Sequence, residues 1–216
     1  MTADPTMGER YLLLADITGY TGFMAGVEQE HKVDFSGGIP VGYSVLGALL
    51  SAVIEGLEPD FSVVKLEGDA VFAAASASSL DGQGDRVAGR LGTMYRAFID
   101  ARTRALPASD HLCTACPAVA HLDLKAVLHR GTAVRQMVGS GSDLLGPAVT
   151  VAHRLLKNTI RDRVGSRPYL FVTDAAATAL GLSEAGIAHD EVYPDAGPVH
   201  GRILELGQPV PGAASA

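Results

Sequence analysis

Hydrophobic and polar positions alternate between two periods along this chain, and the switches between them mark out the elements. Tyr11-Leu-Leu-Leu-Ala15 is an uninterrupted apolar run closed by Asp16, so Arg10 to Asp16 reads as a buried strand ending on a charge, followed by a Thr/Gly-rich turn from Thr18 to Gly22. A polar, glycine-containing stretch from Glu28 to Pro40 separates it from Tyr43 to Leu57. There the apolar pairs Val45/Leu46, Leu49/Leu50 and Val53/Ile54 recur every four residues, the mark of an amphipathic helix against a sheet. Phe61 to Leu66 and Ala70 to Ala75 form a hairpin about Glu67-Gly68-Asp69, and a second helix is expected between Gln83 and Ala105, weakened by Gly84, Gly89 and Gly92. Leu122 to His129 and Thr132 to Val138 read as two strands joined by a tight Arg130-Gly131 turn. Pro147 to Val164 reads as one helix, and Tyr169 to Val172 and Arg202 to Leu206 as strands. The order β, α, β, β, α, β with additions at the C-terminus is that of an α+β, ferredoxin-like domain. It spans residues 10–207, between a loose leader (1–9) and a flexible Pro/Gly/Ala/Ser tail (208–216).

Composition narrows the function classes. The 216 residues, 47% hydrophobic and 19% charged, suit a single core, and a net charge of −7 gives no general attraction to nucleic acid or anionic membrane. No apolar run approaches the roughly 18 residues of a membrane span, and the first one is too short for a signal segment. The expectation is a cytoplasmic chain with neither nucleic-acid nor membrane partners. Its two cysteines, Cys113 and Cys116, then make a structural disulfide an unfavourable reading. Three alternatives stay open for His111-Leu-Cys113-Thr-Ala-Cys116: buried inert thiols, a metal site completed by His121 or by a second chain, and a redox-switchable pair.

The candidate chemistry begins with Asp16 and Asp69. A strand ending on one aspartate and a hairpin turn carrying another can bring hard oxygen ligands together for a divalent cation, although a strand-end aspartate can also serve as a helix cap. A glycine-rich turn after Asp16 suits backbone amides aimed at phosphate. Thr150 and Arg154 lie four apart on the expected helix, and Asn158 a further four, so all three share a face. His129 and His153 read as structural histidines.

Ala-Asp16-Ile-Thr-Gly-Tyr-Thr21, Lys65-Leu-Glu-Gly-Asp69, His129-Arg-Gly131 and Asp143-Leu-Leu-Gly-Pro-Ala-Val-Thr-Val-Ala-His-Arg154 follow one another in an order that resembles the class III adenylate/guanylate cyclase catalytic domain, from about Tyr11 to Val172. The cysteine pair and His153 to Asn158 resemble an uncharacterised bacterial branch of it. The resemblance implies two Mg²⁺ or Mn²⁺ ions held by Asp16, Asp69 and the carbonyl of Ile17. It also implies that Thr18, Gly19, Tyr20, Thr21, Gly22 and Phe23 present amides to the nucleotide phosphates. Lys65 and Asp143 would read the adenine edge, and Arg154 would stabilise transition-state charge. Thr150 stands where active members usually carry an asparagine that orients the ribose, and Asn158 is the candidate to compensate. The implied activity is conversion of ATP to cyclic AMP and pyrophosphate by a homodimer. A degenerate nucleotide-binding or regulatory module and a cyclase for another nucleotide are the alternatives.

Overall fold

Five consecutive buried apolar side chains place the first strand in the middle of the sheet, where both of its faces are covered. In the computed structural model, which describes residues 6–32, 36, 39–107, 112–194 and 196–208, β1 runs Thr6–Thr18. It pairs antiparallel with β3 (Ala70–Ser76) on one side and with β4 (Asp123–Val138) on the other, so that Leu12 faces Ala74 and His129. β2 (Ser62–Glu67) continues beyond β3, and the chain crosses over through α2 (Val41–Leu57) and, after the single turn α3 (Ala77–Leu80), through α4 (Gly84–Arg104). The resulting β2-β3-β1-β4 sheet with its two crossover helices is the expected ferredoxin-like βαββαβ core. The sheet then extends through β6 (Tyr169–Thr173), parallel to β4, to β8 (Gly197–Glu205) and β7 (Ile187–Tyr193).

Alternation along β1 divides the interior in two. Tyr11, Leu13, Ala15 and Ile17 face α1 (Tyr20–His31), α2 and α4, whose Leu49, Val53, Leu91, Met94 and Phe98 complete the larger core. Leu12 and Leu14 point the other way, toward Phe72, Phe171 and the Ala148, Ala152 and Leu155 face of α5 (Pro147–Leu155). No helix among the described residues is long and apolar enough to cross a membrane.

Several expectations are corrected. β1 begins at Thr6, four residues into the expected leader, because Thr6 to Glu9 pair with Thr132 to Arg135 and Glu9 accepts hydrogen bonds from Arg130 and Thr132. Residues 209–216 lie outside the described residues, as do parts of the 28–40 stretch; of that stretch, Glu28 to His31 belong to α1. Arg130-Gly131 is no turn: β4 is continuous, and Gly131 is needed because a Cβ there would come within 2.8 Å of Ala148 on α5. The true reversal is at Gly139-Ser140, leading into β5 (Gly141–Leu145), which folds back on β4 and carries Asp143. The expected helix over 147–164 is broken into α5 and α6 (Arg161–Val164). Buried Glu191 on β7 accepts from the Thr159 amide at 2.7 Å and from its hydroxyl, while Tyr169 donates to Asn158 at 2.9 Å, so side-chain partners hold residues 157–160 out of the helix.

Candidate functional site

The end of β1 and the start of α1 form a cleft of about 350 Å³ lined by Asp16, Ile17, Thr18, Gly19, Tyr20, Thr21 and Gly22 together with Asp69, Lys125, Asn158, Arg161 and Tyr169. Asp69 reaches it because the β2–β3 hairpin ends in register with β1: Asp16 faces Ala70, and the Ile17 amide donates to the Asp69 carbonyl at 3.1 Å. Burial raises the Asp16 carboxyl above the usual carboxylate range, Lys125 counteracts this, and the negative charge of Asp69 adds to it. Lys125 Nζ stands 3.5 Å from Asp16 Oδ2 and donates to the Leu156 carbonyl at 3.1 Å.

The turn into α1 depends on Gly19, whose φ of 88° is the left-handed region that a side chain disfavours. The first bond of the helix runs from the Phe23 amide to the Gly19 carbonyl at 3.0 Å. The amides of Tyr20, Thr21 and Gly22 precede it and have no acceptor within the helix, which makes them the donors available to an anion. Phe23 is thereby corrected: its amide is committed and its ring is buried beside Tyr20, 6.3 Å between centroids. Tyr20 lines the cleft, but its hydroxyl is buried with no hydrogen-bond partner among the described residues, and burial pushes it up to about 12.

Lys65 and Asp143 meet elsewhere. A bulge between Val63 and Lys65 re-aims β2 toward the α5 side, where Lys65 Nζ donates to Asp143 Oδ2 at 3.0 Å and lies 3.4 Å from Glu67. Burial would raise Asp143, but the hydrogen bonds from Lys65 and from the Leu144 amide outweigh it and hold the carboxyl low. Lys65 is raised, chiefly by its hydrogen bond to Asp143. His153 joins this group by donating or accepting at 2.9 Å with Glu67, its ring edge against Phe72. Thr150 and Arg154 occupy the exposed face of α5, with the Thr150 hydroxyl 3.5 Å from the Gly146 carbonyl. Neither Lys65, Asp143, Thr150 nor Arg154 is among the residues lining the cleft of Asp16 and Asp69.

Asn158 departs from its expected place. It lies beyond the end of α5, donates to the Leu155 carbonyl at 2.7 Å, and accepts from the Ile160 amide and the Tyr169 hydroxyl, so it borders the cleft as a loop clamp. Lys125 and Arg161 line the cleft, and Glu67 and His153 stand beside Lys65, although the sequence reading places none of the four at the site. Lys125, set between Leu124 and Ala126 on a buried strand, was the clearest available signal. His129 is structural as expected, its Nδ1 3.0 Å from the Thr173 hydroxyl, and Arg130 is bound to Asp81 and Glu9. Cys116 is buried and its thiol pushed up to about 11 by burial and by Cys113, which disfavours a reactive thiolate. His111 lies outside the described residues, and His121 is exposed.

Comparison with solved structures places this fold among class III adenylyl and guanylyl cyclase domains. A bacterial light-regulated adenylyl cyclase superposes with a TM-score of 0.65 at 16% identity, over 94% of this chain and 53% of that one. The guanylyl cyclase Cya2 gives 0.64 at 14% identity, over 97% of each chain. At such identities the likeness is one of fold. An uncharacterised protein of Mycobacterium tuberculosis, Rv2561/Rv2562, is 31% identical over 143 residues, 66% of this chain; the match spans 64% of that relative's length. A family model described as "Protein of unknown function (DUF2652)" matches residues 46–163, and the chain belongs to that family.

Proposed function

We propose that the protein is a nucleotidyl cyclase-like enzyme that converts ATP to 3′,5′-cyclic AMP and pyrophosphate at the interface of a homodimer. The convergence of Asp16 and Asp69 on one cleft beside the open amides of α1 carries this reading. The donors suit a divalent metal: two hard carboxylates share a partly desolvated space, and the penalty that raises the Asp16 carboxyl is one a cation relieves. Asp16, Asp69 and the Ile17 carbonyl would hold Mg²⁺ or Mn²⁺, which when bound lowers the pKa of the ribose 3′-hydroxyl and neutralises phosphate charge.

The chain's own groups supply the rest. The amides of Tyr20, Thr21 and Gly22 cradle phosphate oxygens, and Lys125 and Arg161 add positive charge to the same cleft. The 3′-oxygen gives up its proton and bonds to the α-phosphorus; the bond from that phosphorus to the bridging oxygen breaks, and pyrophosphate leaves with the electron pair. Arg154 stabilises the charge that builds on the α-phosphoryl oxygens, and Thr150 orients the sugar. Lys65 donates to an adenine ring nitrogen while Asp143 accepts from the exocyclic amine. These four residues lie outside the single-chain cleft, which supports a second copy as their carrier.

Lys125 favours a second reading, a nucleotide-binding module without turnover, because its ammonium already compensates Asp16. Incubating the purified protein with each of the four ribonucleoside triphosphates and Mn²⁺, identifying products by mass and measuring nucleotide binding in parallel, separates the readings. Cyclic AMP from ATP is the expected product; binding without product would establish the second reading, and neither would remove both.

A further inference from the structure

His31 is the last residue of α1, and the two cysteines lie on the segment that leads into β4 through a short 3₁₀ helix, Cys116–His121. The fold brings them together: one nitrogen and two sulfur ligand atoms all lie within 4.8 Å of one another. We propose that His31, Cys113 and Cys116 bind a thiophilic divalent cation, zinc by preference, at a site separate from the carboxylate cleft. The inference stands independently of the cyclase reading.

The geometry is close to that of a bound ion. His31 Nε2 lies 3.1 Å from Cys116 Sγ, and a tetrahedral zinc with ordinary bond lengths spaces neighbouring nitrogen and sulfur ligands at roughly 3.5 Å. This pair needs only a small opening, and the Cys113 sulfur lies within 4.8 Å of both atoms. The Cys116 amide donates to Cys113 Sγ at 3.3 Å, which fixes the first sulfur of the Cys-x-x-Cys turn on the same side as the second. The surroundings are built to hold this turn against α1: the Thr114 hydroxyl donates to Glu30, and Ala115 packs so closely that a Cβ at Gly26 would meet it at 3.3 Å. Soft thiolates with an imidazole select zinc over the Mg²⁺ or Mn²⁺ that carboxylates prefer.

Three described ligands leave a fourth position for water or for a neighbouring group. His121, one of the two ways of completing a metal site that the sequence left open, is not part of the cluster; His31 takes that place. The cation would tie the C-terminal end of α1 to the segment that enters β4. The N-terminal end of the same helix, and Lys125 on that strand, both border the nucleotide cleft.

The test uses the full reduced chain, expressed with added zinc and assayed without nucleotide. Stoichiometric zinc after gel filtration is expected. After exchange, the Co²⁺ form should show sulfur-to-cobalt charge-transfer absorption of the strength of two thiolates, and zinc should protect both thiols from a disulfide reagent. His31→Ala should weaken zinc retention at least about tenfold, and His121→Ala should leave it unchanged. Should His31→Ala fail to fold, the cobalt spectrum and thiol protection of the unmodified chain decide the matter. Thiols that react equally fast with and without zinc, or a native chain isolated with a Cys113–Cys116 disulfide, would overturn the proposal.

Discussion

The two acidic centres of this protein are built on opposite electrostatic principles. At the carboxylate cleft, Asp16 and Asp69 place like charges in one partly desolvated space, and the carboxyl of Asp16 rises despite Lys125. On the α5 side, Lys65 and Asp143 form a complementary pair with side chains 40% and 28% exposed, and the carboxyl of Asp143 falls. The cleft holds unfavourable energy that an external cation can release, whereas the pair is already satisfied and a ligand must compete with it. Under the proposed function the first would attract a cation, and the second would discriminate among ligands brought there by other contacts.

The strongest way to break this comparison is to remove the cleft carboxylates. Asp16→Ala or Asp69→Ala should each lower metal-dependent turnover by about a thousandfold or more. A steady-state assay with Mn²⁺ that shows undiminished turnover in either variant would eliminate the two-carboxylate site. Mixing Asp16→Ala with Arg154→Ala chains, each inactive alone, should restore activity through the one cleft left intact in the heterodimer. No recovery after verified subunit exchange would place the whole site within one chain.

Thr150→Asn comes next in size. An amide reaches farther than a hydroxyl and provides both donor and acceptor, so turnover should rise about thirtyfold to several hundredfold if ribose orientation limits the rate. Asn158→Ala should chiefly lower stability, because the structure commits one end of that side chain to the last carbonyl of α5 and the other to the Ile160 amide and the Tyr169 hydroxyl of β6. Thermal unfolding beside single-turnover rates distinguishes the two effects. A loss of rate without a loss of stability would return Asn158 to the chemistry.

Base selection should change less. Lys65→Glu combined with Asp143→Ser reverses the donor and acceptor pattern, and the ratio of kcat/KM for ATP over GTP should fall about ten- to a hundredfold. An unchanged ratio would mean that the pair does not read the base.

The smallest effect is the sharpest electrostatic test, since the two aspartates should respond to pH with opposite signs. The folded-state pKa of Asp16 is raised, so its ionised form opposes folding; Asp16→Asn should stabilise the metal-free protein near neutral pH, by on the order of a degree or two in Tm. That advantage should vanish as the pH falls below the ordinary carboxylate range. The folded-state pKa of Asp143 is depressed, so its contribution is present above the ordinary carboxylate pKa and lost as the pH falls through the folded value. Asp143→Asn should cost about 0.5 kcal/mol at neutral pH, the size expected of a largely solvated ion pair. Scanning calorimetry across acidic and neutral pH would refute the comparison if both variants shifted Tm in the same direction.

Local pattern determined a large part of this protein. The apolar run before Asp16, the four-residue step of Tyr43 to Leu57 and the Gly-Asp turn at Gly68-Asp69 each depend on burial or turn chemistry within a few residues, and the sheet core follows from their order. The convergence of Asp16 and Asp69 was legible for the same reason. What was not legible rests on partners far away in sequence. Arg130-Gly131 has the composition of a turn but is a strand, because Gly131 makes room for Ala148. Residues 157–160 continue a helical pattern, yet Glu191, 32 positions beyond Thr159, offers their backbone and side chains better partners. His31 belongs with Cys113 and Cys116 only because α1 packs on the segment entering β4. Sequence periodicity records which face of an element is buried; tertiary packing alone decides what lies against it, because contacts between distant segments are fixed by close approach and hydrogen-bond competition that no local window contains.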